Sequence, residues 1–249
     1  MSRVRVLAYA RFQLGDYLLH RASIPLVLVL IAAGLPLYAA MRSQPGSFAS
    51  PEGAAMAHTL FTKAVALFLP VGAFLGGTGV ISGDRQQGTY RFLFSRPVDV
   101  LAYYAQAYAI HGLAFVALFG LLTALFSALT VPQPVWGAMA AAALTFVLVG
   151  GLGFLCGVVT RFDGAMLAVI YLFSSGIQQM VEVLGAAPLP QLLKQIARFL
   201  PPVGRLDQLR EQLYAHAAVD WMSCAHVLAY GLGSFALGLV LLRKLPLVR

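Results

Sequence analysis

Charge is scarce in this chain: only 10% of its 249 residues are Asp, Glu, Lys or Arg, while 60% are hydrophobic. With a mean hydropathy of +0.81, that balance excludes an ordinary soluble domain, in which about a quarter of residues are charged. Cysteine is nearly missing as well. Cys156 and Cys224 make neither a disulfide framework nor a metal ligand set. No G-x-x-x-x-G-K-[S/T] run occurs, so the chain has no loop of its own to cradle nucleotide phosphates. An H-E-x-x-H pair, a nucleophile elbow and a His/Cys/carboxylate cluster at metal spacing are equally absent. His58, His216 and His226 are scattered in or near loops. These absences argue against a soluble enzyme, a metalloenzyme and a self-contained ATPase. No internal repeat or low-complexity tail divides the chain, so residues 1–249 read as a single domain.

Long apolar runs are what the chain has in abundance. Crossing about 30 Å of hydrocarbon takes roughly 20 apolar residues, and unbroken runs of that length choose helices, which satisfy their own backbone groups. Six such runs are expected to span: Ile24–Met41, Leu60–Ser82, Ala105–Leu129, Trp136–Val159, Ala165–Val183 and Cys224–Leu242. The fold class is therefore an all-α integral membrane protein with six transmembrane helices. By this layout the two cysteines fall toward opposite faces.

Topology follows from the basic residues. If both termini are cytoplasmic, that side holds Arg3, Arg5, Arg11, Arg21, Arg85, Arg91, Arg96, Arg161, Arg243, Lys244 and Arg249. The other side holds only Arg42, Lys63, Lys194, Arg198, Arg205 and Arg210, so the positive-inside rule selects cytoplasmic termini. The net charge of +8 thus reports topology, and nucleic-acid binding is rejected.

Residues 1–23 read as an interfacial helix with Val4, Leu7, Leu14, Tyr17 and Leu18 on its apolar stripe. A cleaved signal peptide is disfavoured, because Tyr38-Ala39-Ala40 lacks a small residue three places before the cut. Residues 42–59 are rich in Ser, Gly and Pro and read as irregular. Residues 185–223 read as an outer helical hairpin. Leu192, Leu193, Ile196, Phe199 and Leu200 keep helical spacing up to Pro201-Pro202, and Leu206, Leu209 and Leu213 form a second stripe.

The organising stretch lies in the loop 83–99. Tyr90, Leu93 and Phe94 recur at helical i, i+3, i+4 spacing among Arg85, Arg91 and Arg96, and Pro97 stops the pattern. One reading is a short surface helix that docks on a soluble partner. The other is a solvated positive-inside loop with a chance amphipathic turn, which composition alone favours.

The residues Asp84, Arg85, Gly88, Thr89, Leu93, Ser95, Pro97, Val98 and Tyr103 resemble the loop between spans two and three of ABC-2 type permeases. These are membrane subunits of ATP-binding-cassette exporters. The match departs from the family at Asp84, where Glu is usual, and near Gln106, where Lys is common. The resemblance implies a cytoplasmic coupling helix that docks on an ATPase, with Asp84, Arg85, Gly88, Thr89, Tyr90, Leu93, Phe94 and Pro97 as ATPase-coupling residues. It further implies two ABC ATPase partners, which bind ATP and Mg while this chain has no cofactor of its own. A second permease copy, as homo- or heterodimer, and a place in the prokaryotic cytoplasmic (inner) membrane complete the expectation. The function implied is a permease subunit that exports an amphipathic or hydrophobic cargo. The alternative is a non-transporting membrane scaffold that recruits the ATPase.

Inside the membrane two constellations stand out. Tyr104, Tyr108, His111, Phe115, Phe119, Leu122 and Phe126 share one face of the third span and form an aromatic ridge, which packs against another helix or against lipid or, through Tyr108 and His111, lines a path. Tyr171, Ser175, Gln178 and Glu182 form a polar stripe on the fifth span, which either lines a translocation path or glues helices together. The small-xxx-small pairs Gly72/Gly76, Gly79/Gly83, Gly153/Gly157 and Ser234/Gly238 mark expected close approaches.

Overall fold

The computed structural model describes residues 3–24, 27, 31, 34, 38, 50–87, 99–184, 190–215 and 217–244. Among them the elements are α1 (Arg3–Asp16), a π-helical turn (Tyr17–Arg21), α2 (Pro51–Gly77), α3 (Val80–Gln87), α4 (Val100–Leu129), α5 (Val135–Val159), α6 (Asp163–Leu184), α7 (Pro190–Phe199), α8 (Val203–Tyr214) and α9 (Trp221–Lys244). Among the described residues five helical stretches are long and apolar enough to cross a membrane: Pro51–Asp84, Val100–Leu129, Val135–Val159, Asp163–Val181 and Trp221–Lys244. They correspond to the second to sixth expected spans. The first expected span, Ile24–Met41, lies mainly outside the described residues; within it Val27, Ile31, Gly34 and Tyr38 are helical and exposed.

The second span starts about three turns earlier than its hydropathy suggests. Ser50 caps it by accepting from the Gly53 N–H at 3.1 Å, Pro51 occupies the first turn and Glu52 complements the helix dipole. This start signal outweighs the Gly and Pro content that made residues 42–59 read as a loop, so residues 51–59 are helical.

The core is built around α5. Of its most apolar stretch 78% is buried, against 17% for α6, and it touches α2, α4, α6, α8 and α9. Glycines permit this. A Cβ at Gly77 would stand 2.6 Å from the Gly150 Cα, and one at Gly151 would collide with the Gly231 carbonyl. Backbones of α2 and α9 therefore meet α5 on two sides, as small residues allow in membranes. Among the expected small-residue pairs Gly153 joins these backbone contacts: a Cβ there would stand 3.2 Å from the Gly77 carbonyl. Gly76 and Gly238 make room instead for the rings of Tyr17 and Phe154.

The aromatic ridge of α4 faces inward. Tyr104, His111, Phe115, Phe119, Leu122 and Phe126 are all buried; Phe126 stacks on Phe61 of α2 at 4.4 Å and Phe115 meets Phe146 of α5 at 5.7 Å. The exposed face carries Leu113, Leu121, Leu125 and Leu129, as a lipid-facing helix requires.

The expected apolar stripe of residues 1–23 divides between lipid and protein at Leu14, Tyr17 and Leu18. Leu14 and Leu18 are exposed with Phe12 and Leu19, whereas Gln13 and Tyr17 are buried. Hydrocarbon accepts the leucines at no cost, while the amide and phenol point to where protein offers partners.

Asp220 caps α9, accepting from the Met222 N–H at 3.0 Å and the Ser223 hydroxyl at 2.6 Å. The Ser223 hydroxyl, above all, holds the Asp220 carboxyl below the ordinary carboxylate range. A depressed folded-state value means that the contribution is present above the ordinary carboxylate range and is lost as pH falls through the folded one. Asp220→Ala is thus expected to lower the thermal midpoint in detergent slightly at neutral pH and to have no effect in strong acid. An equal loss at both extremes would contradict the charge-assisted cap.

Candidate functional site at the break in the second span

The second span is not continuous. α2 ends at Gly77, Thr78 is extended at φ −90°, ψ 162°, Gly79 adopts φ +73°, and α3 resumes at Val80. Positive φ costs a side chain about 1–2 kcal/mol and costs glycine almost nothing, so Gly79 is the residue that permits this break. A break in hydrocarbon frees backbone groups that need partners, and four other elements meet here to supply them.

Each partner is identifiable. The Asp163 carboxylate, at the start of α6, accepts from the Gly79 N–H at 2.6 Å and from the Ser82 hydroxyl at 2.8 Å, and its other oxygen takes the Gly164 N–H at 2.9 Å. Arg21, at the end of the π turn, donates to the Thr78 carbonyl. His111 of α4 lies 3.2 Å through Nδ1 from the Gly76 carbonyl, which requires the proton on that nitrogen. One turn along α3, Asp84 accepts from the Tyr104 hydroxyl at 3.1 Å.

α1 and its π turn complete the arrangement. The extra residue in the turn, seen in the Ala22 N–H bonding to the Tyr17 carbonyl at 2.8 Å, turns Tyr17 inward. Its ring lies 5.1 Å from that of His111. Burial drives the Tyr17 phenol upward, so it stays neutral. Burial also pushes the Arg21 guanidinium down from the arginine range, and Asp16, Asp84 and Asp163 oppose that shift. Asp16 is the nearest, 3.6 Å from Arg21 Nε. Gln13 donates to the Tyr103 carbonyl at 3.3 Å, yet its Oε1 is buried without a partner. A cavity of about 130 Å³ lined by Gln13, Asp16, Arg21, Gly79, Asp84 and His111 lies among these groups.

Of the expected site residues, the structure brings Asp84 and His111 together here. Tyr108 is one turn before His111 on α4, stacked on Phe235 at 4.1 Å and donating to the Val147 carbonyl at 3.3 Å. Arg85 is helical, in α3; Gly88, Thr89, Tyr90, Leu93, Phe94 and Pro97 lie outside the described residues, as does the helix expected of them. The α6 stripe is far along that helix. Gln178 donates to the Pro201 carbonyl at 2.7 Å and accepts from the Gly204 N–H, tying α8 to α6. Ser175 and Gln178 line a polar cavity of about 310 Å³ with Asp207 and Glu211. Tyr171 is half-buried beside them, and the backbone of Glu182 is helical.

Sequence reasoning missed Gln13, Arg21, Thr78, Ser82 and Asp163 at this site, and read Gly79 only as a packing residue. The available signal was Thr78-Gly79 followed by Ser82 and Asp84 at the end of an apolar run, a density of polar groups that a plain span end does not require.

Among the described residues no group of three or more His, Cys, Asp or Glu could hold a metal ion. What the arrangement can do is mechanical: it fixes the segment entering loop 83–99 against the π turn, α4 and the start of α6. No curated protein and no solved structure matches the chain significantly. The model of the family described as ABC-2 family transporter protein matches residues 22–245, which takes in the broken span, its capping residues Asp163 and His111 and all five described spans, and the chain belongs to that family.

Proposed function

We propose that this chain is the permease subunit of an ABC exporter in a prokaryotic cytoplasmic membrane. It works as a dimer, with itself or a sibling, on two separate ATPase subunits that bind ATP and Mg. Its termini and loop 83–99 face the cytoplasm, where Tyr90, Leu93 and Phe94 dock on the ATPase, with Asp84, Arg85, Gly88, Thr89 and Pro97 shaping the docking segment. Nucleotide binding draws the ATPases together, and the paired membrane domains exchange between inward-open and outward-open packings, biased by the differential affinity of ATP for the two. Tyr171, Ser175, Gln178 and Glu182 line the cargo path, together with Tyr108 and His111. The cargo class is amphipathic or hydrophobic.

The observation that supports this reading is the continuity of α3 with loop 83–99. α3 runs to Gln87, past the point where hydropathy ends the span, and Asp84 on it is tied to Tyr104 of the next span. A displacement of α3 therefore bears on the start of α4 through Asp84 and Tyr104.

The test is Tyr90→Ala with Leu93→Ala in the full-length chain purified with its partner. Co-purification of a P-loop ATPase with the unaltered chain is expected, together with a loss of at least about tenfold in its association in the double variant, since truncating two buried anchors costs more than about 1.4 kcal/mol. Wild-type association and flux in the double variant would sink the docking role. An ATPase that binds while cargo flux is absent would make the chain a scaffold instead.

A further inference from the structure

We infer that the Thr78–Gly79 break is a hinge, and that Asp163 is the latch that holds α3 in the position described. The inference rests on the reading above only for what drives the hinge; the hinge itself rests on the contacts.

Three observations converge on it. First, the pivot carries no side-chain barrier. A Cβ at Gly79 would meet nothing closer than the Arg21 guanidinium at 3.8 Å, so the space around it is open and only its φ of +73° demands glycine. Second, α3 is held at the break by side chains rather than by continuous helix. The Gly79 N–H, the Ser82 hydroxyl, the Thr78 carbonyl and the Gly76 carbonyl each go to another element. Such bonds can be exchanged singly, whereas bending an intact helix breaks several ladder bonds at once. Third, the groups that release α3 have somewhere to go. The 130 Å³ cavity beside Gly79 is roomy for about four waters at their share of liquid volume, and Gln13 Oε1 in its wall is an unpaired acceptor.

Asp163 is singled out because, among the described residues, it holds the α3 side of the break at two points. It accepts the N–H of the pivot and the hydroxyl three residues along α3, spanning the first turn. It stands at the start of α6, so motion of α3 changes the footing of α6, the helix that carries Ser175 and Gln178. Asp163 is thus a positioning residue that links the hinge to the polar stripe. Arg21 and His111 hold the α2 side of the break still, since their acceptors, Thr78 and Gly76, lie on or before the pivot.

The experiment uses spin-label distances in the full-length chain with its co-purified ATPase, reconstituted in nanodiscs after Cys156→Ala and Cys224→Ser. One label pair, Gly83→Cys with Phe162→Cys, straddles the latch; Gly83 has open space at its Cβ and Phe162 is exposed. A reference pair, Leu67→Cys with Leu113→Cys, lies beyond the break on the exposed faces of α2 and α4. ATP, Mg and vanadate are expected to shift the latch pair by more than the width of its distribution and to leave the reference pair in place. Asp163→Asn is expected to broaden or shift the latch pair without nucleotide. Gly79→Ala should do the same, while Gly79→Asn, which tolerates left-handed backbone, should stay near wild type. A merely structural role would not separate Asn from Ala at position 79. Equal movement of both pairs, or no movement during ATP turnover, would overturn the hinge; an unchanged latch pair in Asp163→Asn would overturn the latch. If no ATPase co-purifies, the proposed function fails, while the nucleotide-free variants still decide the hinge and latch.

Discussion

Gly231→Leu is expected to abolish the packing of α9 on α5, lowering stability by about 3 kcal/mol or more and leaving most of the chain aggregated after extraction. A Cβ at Gly231 would collide with the Val147 carbonyl and stand 2.8 Å from the Val147 Cγ1, and on the facing helix a Cβ at Gly151 would collide with the Gly231 carbonyl. Backbone atoms cannot rotate away as a side chain can, so the helices must separate, and every contact along the seam weakens with them. Gly233 supplies the control. It lies two residues on in the same helix, is exposed, and a Cβ there meets nothing within 4 Å. Gly233→Leu should therefore leave the thermal midpoint within a degree or two of wild type, because only a lipid-facing position has changed. Equal losses at the two positions, measured by monodisperse fraction on size-exclusion chromatography, would show that helix propensity and not close approach sets the requirement for glycine.

The spans were legible because length and hydropathy determine them, and because a lipid-facing surface imposes little else. Five of the expected runs coincide with long described helices. The shared face of α4 was legible from the helical spacing of Tyr104, His111, Phe115, Phe119 and Phe126, while its inward direction came from the structure. Glycine contacts were visible only as a type. Which glycine meets which depends on helix rotation, and the seam settled on Gly77, Gly150, Gly151 and Gly231 rather than on most of the spaced pairs.

The candidate site was legible at its two ends and hidden in its middle. Asp84 drew notice through the resemblance carried by loop 83–99, and His111 because an imidazole is costly among apolar residues. Asp163 gave no sign of its role, since nothing in one dimension places it beside Gly79, 84 residues away in sequence. Arg21 read as a topology signal. Its bond to Thr78 depends on the π turn, a one-residue insertion that no periodicity announces. The polar stripe of α6 showed the opposite failing: its spacing was correct, but Gln178 is committed to the backbone of Pro201 and Gly204, so spacing alone overstated how many of its groups are free to meet a cargo.

Nine residues before the pivot, α2 carries a second answer to a broken hydrogen-bond ladder, and it predicts a non-additive pair of substitutions. Pro70 lies inside α2 and has no N–H, so the carbonyl four residues earlier, that of Ala66, loses its helical donor. Arg210 of α8 is buried and directs its guanidinium to that carbonyl at 3.4 Å, while also bonding Asp207. Arg210→Met should destabilise by about 2 kcal/mol, since a charged donor is removed from a buried acceptor and from a half-exposed carboxylate. In a Pro70→Ala background the new N–H satisfies Ala66, and the same Arg210→Met change should cost about 1 kcal/mol less. Denaturation midpoints for the wild type, the two single variants and the double variant form the cycle. Additivity to within about 0.3–0.5 kcal/mol would show that Arg210 is held by Asp207 alone and that the proline's orphaned carbonyl plays no part. A positive coupling energy would establish that α8 is seated on the second span by the backbone group that Pro70 exposes.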